Sequence, residues 1–569
     1  MKVDRQRLRR VALTFVAHGF VAALVSAPVA AEWAMERAEF EDRLGTLPVE
    51  ISLAHNGVST LDTGILGSVY WERTGVAGFG AHIRATGPPE AGGSLASYVS
   101  PRFIEANAQF VSDPQEVARA YGAELRGELL RRFWYVELAT FLIGGAVLSA
   151  LFRGQHPLAS IPSGGRRVAV GTLVVASGMV TSSLVAVQMF KTWEGDAEVS
   201  SSYPMTEIEG LSFSNAETLE IAEQVQPFIV KNTDRIKARA EEFQDAAEAS
   251  FREVLPEHAN ALEPRDGETI VIAEADPQGS QVGTRVRTDM YPVLLEHLGE
   301  DAFAMRTISG DISSNGTVAE AGFVEEEAAA SGAITTVAVK GDHDTDITVE
   351  QLQSNEVTMP DFEVTEVSDL QVVSADDPAF KTLFGGKVVN NTGITERELG
   401  ENLRTKVDEE PPGPLIALFH QPRSVAGYMG IRSTAELDAG LGRERRPWDD
   451  GIPDLPPGSI NVGHLHDVEG PWVVWNTDGD VVTWTVVSQL GTSGGVEENP
   501  TFNRFSTPFS TPLKKMSMRL QYINAETGLQ TGYVEIEVAP DGTVSIGDRV
   551  DVGLPGGQPV PVDEFELDR

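Results

Sequence analysis

Two carboxylates flank an imidazole in the short stretch Gly341-Asp342-His343-Asp344-Thr345. The stretch follows an apolar, mostly β-branched run at 334–339, and a run of this kind that breaks at a glycine is typical of a buried strand ending in a tight loop. Open α/β sheets bind ligands beyond the carboxyl ends of such strands. Carboxylate oxygen suits hard cations, imidazole suits first-row metals, and both groups can transfer protons. The stretch therefore indicates a metal or acid–base site, although the same residues also form ordinary turns.

Polar residues also follow four other predicted strands, at 269–275, 304–309, 415–419 and 459–462. Any one of these endings could be a surface histidine or a helix cap. Helical patterns alternate with the strands, which favours a partly parallel α/β sheet whose strand ends share one edge. We therefore expect the endings to form one site. They are Asp276-Pro277-Gln278-Gly279, Gly310-Asp311, His420-Gln421 and Gly463-His464-Leu465-His466.

In order and spacing these endings resemble the calcineurin-like metallophosphoesterase family. The family pattern is Asp-x-His, Gly-Asp, Gly-Asn-His-Asp/Glu, a lone His and Gly-His-x-His, and the resemblance covers about 268–550. It implies a four-layer α/β/β/α sandwich that holds two divalent cations, Mn, Fe or Zn. Two cations about 4 Å apart can hold a phosphoryl group and activate a water between them. Membrane spans before such a domain are similar to the plan of actinobacterial membrane-anchored metallophosphoesterases.

The resemblance also implies a role for each residue. His343 would stabilise the phosphoryl charge or protonate the leaving oxygen, and Asp344 would orient the His343 ring. Asp311 would bridge the two cations. The implied ligands are Asp276, Asp311 and His466 for one cation, and Asp311, Asp342, His420 and His464 for the other.

The chain departs from the family pattern at two positions. Gln278 stands where the family has a metal-binding His, and Asp342 stands where it has Asn. An amide oxygen is a weaker ligand than imidazole for transition metals, so Gln278 predicts a first site that is depleted or holds a harder ion. Glu274-x-Asp276 could be aligned with the first motif instead. We prefer Asp276-x-Gln278, because Gly279 after it then matches as well.

Composition restricts the class of protein. A chain of 569 residues predicts two or three folded units. With 84 acidic and 44 basic residues, the net charge is -40, which repels polyanions, so no nucleic-acid partner is expected. The chain has no cysteine, so any metal must be held by His, Asp, Glu, Asn or Gln.

Three apolar segments could span a membrane. The first, 11–31, follows a basic amino terminus and ends in small residues, so it is either a signal anchor or a cleaved signal peptide. The second is Trp134–Phe152, whose one acid, Glu137, is expected to reach the interface. The third is Val168–Phe190, and the short loop before it carries arginines and no acid. The positive-inside rule makes that loop cytoplasmic and predicts a multi-pass cell-membrane protein with its carboxyl-terminal region outside.

The predicted organisation combines these signals. Paired strands are expected within 472–487 and 516–546. The segments around Asp376-Asp377-Pro378 and Gly491–Gly495 are expected to be loops, with lining of the substrate pocket as the alternative. The predicted parts are a signal anchor or signal peptide at 1–31, a β-rich extracytoplasmic domain at 32–133, two transmembrane helices at 134–190, a helical stalk or linker at 191–267, a metallophosphoesterase domain at 268–552 and a flexible tail at 553–569. The helix in the stalk segment could instead pack on a neighbouring domain.

The predicted function is a membrane-anchored phosphoesterase that hydrolyses phosphate mono- or diesters of a small molecule or an envelope substrate with two metals. The alternative is a degenerate domain that binds a phosphorylated ligand or a protein partner without catalysis, and Gln278 favours it. A third hypothesis is an envelope scaffold whose working part is 32–133.

Overall fold

The structure is a computed structural model that describes most of the chain in two compact units. One unit is 1–89 with 118–227, and the other is 90–117 with 228–569. The predicted span at 168–190 and the arginine loop before it lie outside the described residues. The described residues are 5–44, 47–54, 59–62, 68–71, 80–87, 114–151, 203–204, 212–214, 216–381, 388–409, 413–438, 455–496, 512 and 514–565.

The first unit contains two long helices and a seven-stranded sheet of order β1-β2-β5-β3-β4-β7-β6. The helices are α1 (Arg5–Arg37) and α2 (Pro114–Leu151). The strands are β1 (Glu39–Leu44), β2 (Leu47–Ala54), β3 (Ser59–Asp62), β4 (Ser68–Trp71), β5 (Gly80–Ala85), β6 (Tyr203–Pro204) and β7 (Ser212–Phe213).

Helices α1 and α2 are both long and apolar enough to cross a membrane. They pack antiparallel, since the ring of His18 lies 3.0 Å from the Ser149 hydroxyl and the Ser26 hydroxyl donates to Glu137 at 2.9 Å. Glu137 is buried by this contact, so the expectation that it reaches the interface is wrong. A carboxylate oxygen that accepts a hydrogen bond from a hydroxyl on the facing helix does not need to reach water for a partner.

The second unit contains two further seven-stranded sheets. In the first, of order β10-β9-β8-β19-β20-β21 with β22 beside β20, strands β8, β9 and β10 are parallel. Its strands are β8 (Glu268–Glu274), β9 (Phe303–Ile308), β10 (Thr336–Ala338), β19 (Met516–Asn524), β20 (Gln530–Val538), β21 (Val544–Ile546) and β22 (Val550–Asp551).

The second sheet has the order β11-β12-β15-β16-β18-β17, with β23 beside β18, and β12, β15, β16 and β18 are parallel. A separate pair is formed by β13 (Phe380–Lys381) and β14 (Val388–Val389). The sheet strands are β11 (Thr365–Val367), β12 (Leu370–Ser374), β15 (Leu415–Phe419), β16 (Gly458–Val462), β17 (Glu469–Asp478), β18 (Val481–Gln489) and β23 (Val560–Pro561).

Helices connect these strands, and three short 3-10 turns lie at Glu300–Ala302, Val318–Glu320 and Pro555–Gly557. The Thr317 side chain and Glu320 form a capping box at the second of these turns. The helices are α3 (Ala216–Leu262), α4 (Gln281–Leu298), α5 (Ala321–Ala329), α6 (Asp346–Ser354), α7 (Glu396–Glu409), α8 (Pro422–Met429) and α9 (Ala435–Asp438).

Apolar side chains bury the central strands of both sheets on two faces. One cluster packs α3 and α4 against β8, β19 and β20. A second packs α7 and α8 against β15 and β16, and a third joins β8, β9 and β10 to β12 and β15. Burial on both faces explains why a strand such as Leu415–Phe419, every residue of which is buried, has a continuous apolar sequence. The fold of the described residues is therefore mixed α/β with several sheets.

Two predicted segments contact the sheets of the second unit. Within the segment predicted as a helical stalk, a linker or a helix packed on a neighbouring domain, the carboxyl-terminal half of α3 packs on the first sheet of its unit. The described residues of the predicted flexible tail contact the second sheet. Val560 pairs with Val482 of β18, and the Phe565 ring lies 5.3 Å from the Trp475 ring. The apolar residues of the tail pack against strands of the second sheet. These strands come together only when the sheet folds, so the tail sequence alone does not indicate the contact.

Candidate metal centre

Carboxyl ends of parallel strands from both sheets bring the candidate residues together. The structure contains two groups of carboxylates and imidazoles, and within each group the ligand atoms lie within 4.8 Å of one another. Asp311, in the loop after β9, belongs to both groups and is 1% exposed. The groups are Asp311, Asp342, His420 and His464, and Asp276, Asp311 and His466. They coincide with the two ligand sets that the family resemblance implies, and cation binding by them stays a prediction.

The group that contains Asp342 is tightly spaced. His420 Nε2 lies 3.2 Å from Asp311 Oδ1 and 3.4 Å from Asp342 Oδ1. His464 Nδ1 lies 3.2 Å from His420 Nε2 and 3.8 Å from Asp342 Oδ1. Two carboxylates and two imidazoles whose ligand atoms lie within 4.8 Å of one another are donors of the kind that divalent first-row metals bind.

The group that contains Asp276 is more open, with His466 Nε2 at 3.6 Å from Asp276 Oδ1. Gln278 is 2% exposed, and its Oε1 atom has no hydrogen-bond partner among the described residues. The same holds for His466 Nε2 and for Asp342 Oδ1. Buried polar atoms without a partner are costly, and cations held by the two groups would satisfy them. The donor set therefore fits metal binding.

Hydrogen bonds from outside the two groups orient the imidazoles. His420 Nδ1 lies 3.0 Å from the Ser309 carbonyl, and His466 Nδ1 lies 2.6 Å from the Val496 carbonyl. Because a carbonyl only accepts, each Nδ1 carries a proton and each Nε2 is left facing the carboxylates. Such contacts fix the tautomer and the direction of a metal-binding histidine.

Unusual backbone conformations concentrate at the candidate ligands. Nine described non-glycine residues have a positive φ, and five of them are candidate ligands. A residue held in this region costs about 1–3 kcal/mol, so the surrounding packing must impose it. Gly341 shows how close that packing is, since a Cβ atom there would lie 2.2 Å from Asp311 Oδ1. The five are Asp276 (φ 52), Gln278 (φ 47), Asp311 (φ 53), His464 (φ 75) and His466 (φ 55).

Burial and neighbouring charges raise the pKa of some titratable groups at the centre and lower the pKa of others. Burial opposes ionisation of Asp311, but His420 and His343 outweigh it and hold its pKa well below the usual range. Burial also opposes protonation of His420, yet the charges of Asp311 and Asp342 raise its pKa well above normal. Burial lowers the pKa of His464 to about 4, with His420 adding to the effect, and burial lowers that of His466 to about 4. His464 and His466 are therefore neutral at pH 7, the form in which imidazole binds metal.

His343 lies beside the shared carboxylate. Its backbone N–H donates to Asp311 Oδ1 at 2.8 Å, and its Nε2 atom lies 4.0 Å from an oxygen of Asp311 and from an oxygen of Asp342. Its Nδ1 atom lies 3.2 Å from the Ser314 carbonyl. That carbonyl orients the ring and leaves Nε2 facing the two groups.

The expectation that Asp344 orients the His343 ring is wrong. The Asp344 carboxylate instead accepts hydrogen bonds from the backbone N–H groups of Ile312, Ser313 and Gly341, and from the Ser313 hydroxyl. The turns after β9 and β10 leave these amides without a strand partner, and a carboxylate at that point satisfies three at once. Asp344 therefore joins the two loops that carry Asp311 and Asp342.

The alternative alignment through Glu274 does not reach the centre. The Glu274 carboxylate accepts from Arg306 at 2.8 Å, from Arg287 at 2.9 Å and from the Tyr291 hydroxyl. These partners lie on β9 and α4. Asp276, which follows in the loop, is the residue placed with His466.

Two residues at the centre were given no role as ligand or catalyst by the sequence analysis. Gln421 Nε2 lies 3.3 Å from Asp342 Oδ2 and 3.3 Å from His464 Nδ1. Asp377 is 2% exposed, and burial raises the pKa of its carboxyl to about 7, with His420 opposing the rise. Asp377 follows the strand at 370–374, so the rule that polar residues after a strand mark a site would have found it had that strand been predicted.

No protein-family model matches the chain, and no curated protein matches it. Among solved structures, the chain is similar to the structure of Haemophilus influenzae NAD nucleotidase, with a TM-score of 0.26 and 11% sequence identity. The similarity covers 52% of this chain and 53% of that protein, so the chain matches about half the length of its neighbour.

Proposed function

We propose that this chain is a metal-dependent phosphoesterase with two divalent cations at the candidate centre. The observation that supports it best is the sharing of one buried carboxylate, Asp311, by two groups of ligand atoms. Two adjacent cations with a common carboxylate are the arrangement used for displacement at phosphorus. The resemblance of the strand endings to the calcineurin-like pattern supports the same reaction class.

The roles of the residues follow from their positions. Cations bound here would hold phosphoryl oxygens and lower the pKa of a water between them. His464 and His466 contribute neutral imidazole nitrogens, and Gln278 contributes an amide oxygen. Because the Ser314 carbonyl accepts from His343 Nδ1, Nε2 is the atom left to face the phosphoryl group. With the ring doubly protonated, Nε2 would donate a hydrogen bond to the phosphoryl group or a proton to the leaving oxygen.

The proposal extends to the architecture. We assign the second unit a four-layer α/β/β/α sandwich of the metallophosphoesterase type. Its support is the order of apolar clusters, which pack helices on β8 and β19, pack sheet on sheet, and pack helices on β15. The domain boundaries predicted from the sequence stay proposals, with a phosphoesterase domain at 268–552.

We also propose a multi-pass cell-membrane protein with the phosphoesterase domain outside. Helices α1 and α2 supply two candidate spans, and the apolar segment 168–190 supplies a third. The contacts of His18 with Ser149 and of Ser26 with Glu137 favour an anchor over a cleaved signal, because removal of 1–31 would leave these α2 groups without their partners. A phosphorylated small molecule or envelope component is then the proposed substrate.

Substitution of the shared carboxylate tests the function. We expect the purified full chain to hold two cations and to hydrolyse a generic aryl phosphomonoester or phosphodiester. Asp311→Asn should lose both cations and the hydrolysis, while Asp480→Asn, at an exposed residue in the turn between β17 and β18, should keep both. Metal analysis with turnover is the measurement. Two cations retained by Asp311→Asn would refute the bridging role.

A second candidate function is binding of a phosphorylated ligand without hydrolysis. Gln278 supports it, because the first cation would lack an imidazole ligand at that position. A chain that holds cations and binds phosphate, yet hydrolyses neither phosphomonoesters nor phosphodiesters, would establish this function instead.

A further inference from the structure

The loop after β12 is attached to the loop that carries Asp342. The backbone N–H of Asp377 donates to the Lys340 carbonyl at 3.0 Å, and the Lys340 N–H donates to Asp376 Oδ1 at 3.0 Å. Further along, the Lys381 N–H donates to the Asp342 carbonyl at 2.6 Å. These three hydrogen bonds hold 376–381 beside the candidate centre.

The Asp377 carboxylate is buried with one oxygen unused. Oδ1 accepts from the Ala379 N–H at 2.8 Å, while Oδ2 has no hydrogen-bond partner among the described residues. The charges that act on this carboxyl belong to His420, Asp342 and Asp311. A buried carboxylate oxygen without a partner is costly. Because Asp377 lies near three candidate ligands, we expect a hydrogen-bond donor for Oδ2 to be present when the metals are bound.

We propose that Asp377 is an outer carboxylate of the metal centre, whose Oδ2 accepts a hydrogen bond from a water bound to the cation held by Asp342, His420 and His464. The proposal rests on the proposed metal binding. Asp377 is not among the ligand atoms that lie within 4.8 Å of one another, so a bridging water suits it better than direct coordination. A carboxylate in this position holds the water in place and strengthens cation binding.

Asp376 provides a matched control. It is the adjacent carboxylate in the same loop, but the charges that act on it are those of Asp361, Lys340 and Asp344, none of which is a proposed ligand. Asp376→Asn keeps an oxygen that can accept from Lys340 N–H. It therefore removes the same charge and leaves the loop attached.

The experiment measures the affinity of the full chain for Mn²⁺, Zn²⁺ and Fe²⁺, each in turn, by titration calorimetry after chelator treatment. We expect Asp377→Asn to weaken one of the two sites by about 10–100-fold, the usual effect of removing an outer hydrogen-bond partner, and Asp376→Asn to leave both affinities unchanged. Asp377→Ser, a smaller side chain, gives the same comparison if the amide fails to fold.

Each outcome decides the matter. Unchanged affinities in folded Asp377→Asn or Asp377→Ser would overturn the role of Asp377 while leaving the proposed function in place. Equal weakening in Asp376→Asn would assign the effect to the loop rather than to the carboxylate, and would also overturn it. A parent chain that binds no Mn²⁺, Zn²⁺ or Fe²⁺ would overturn the proposed function together with this inference.

Discussion

At the scale of single residues, Gln278 is the position where substitution should improve the centre. Gln278 lies in the same loop as Asp276, has a positive φ, and has a buried Oε1 atom without a hydrogen-bond partner among the described residues. Gln278→His should raise Zn²⁺ affinity at the weaker site by about tenfold, or about 1.4 kcal/mol, because imidazole is the better ligand for first-row metals. Titration calorimetry measures the change.

The control for this prediction is Gln353→His, which adds an imidazole at an exposed position of α6. It should leave both affinities as they are. Equal Zn²⁺ affinities of the two sites in the parent, with no change in Gln278→His, would remove Gln278 from the centre.

His343 is the residue whose substitution separates chemistry from metal binding. His343→Asn should keep both cations, because the imidazole is not among the clustered ligand atoms, and should lower kcat by about 10²–10⁴-fold. If the ring protonates the leaving oxygen, the loss is larger for an alkyl ester than for a nitrophenyl ester. If it stabilises the phosphoryl charge, the two losses are equal.

The control for His343 is the exposed His297 at the end of α4. His297→Asn should hydrolyse both esters at the parent rate. A His343→Asn variant with parent kcat for both esters would exclude a catalytic role.

At the scale of elements, a buried ionic cluster joins β8 and β9 to α4 and α5. Arg287 and Arg306 both contact Glu274 and Glu327, and all four side chains are at most 1% exposed. Glu274 lies two residues before Asp276, so this cluster holds the strand end that carries a proposed ligand. Its removal should therefore affect stability first and the centre second.

Arg287→Met should lower the free energy of unfolding by about 3–5 kcal/mol, because it leaves buried carboxylates without their partner. The matched change is Arg285→Met on the same helix, which breaks the exposed pair with Glu326 and should cost at most about 1 kcal/mol. Urea denaturation measures both. Similar losses in the two variants would show that the buried cluster contributes no more to the free energy of unfolding than the exposed pair does.

Glu327 makes part of this stability depend on pH. Burial opposes its ionisation, but Arg287 and Arg306 outweigh it and lower the pKa of Glu327 to about 2, against 4.5 for an ordinary Glu. A lowered pKa in the folded state stabilises the fold above the ordinary value, and this contribution is lost as pH falls through 4.5 towards 2. The difference in unfolding free energy between parent and Glu327→Gln should therefore be constant near neutral pH and shrink below about pH 4.5. A difference that grows on acidification would contradict this.

At the scale of the whole molecule, the topology is the main prediction. Three spans, or a cleaved first segment, would place the proposed phosphoesterase domain outside the membrane. Protease added to intact spheroplasts should remove residues beyond 200 and spare a cytoplasmic control protein. Protection of those residues while an external control is digested would place the domain inside.

The sequence by itself predicted the strands that carry the candidate residues, and the resemblance to the metallophosphoesterase pattern implied the two ligand groups. A strand such as Leu415–Phe419 is predicted with its observed bounds, because burial on both faces produces a continuous apolar run. The polar endings follow from the same regularity, since each lies in a short motif directly after such a run, and their roles as ligands are what the family resemblance implies. Motif and strand are local, and a local pattern is fully contained in neighbouring residues.

Only the tertiary structure decided which partner each buried polar group has. Asp344 accepts from Ile312 and Ser313 rather than from His343, Glu274 binds two arginines rather than a metal group, and the tail at 560–561 pairs with β18. Each partner comes from a distant part of the chain and is chosen by proximity after folding. A carboxylate satisfies whichever donors the packing brings within about 3 Å, and the order of residues along the chain does not contain that distance.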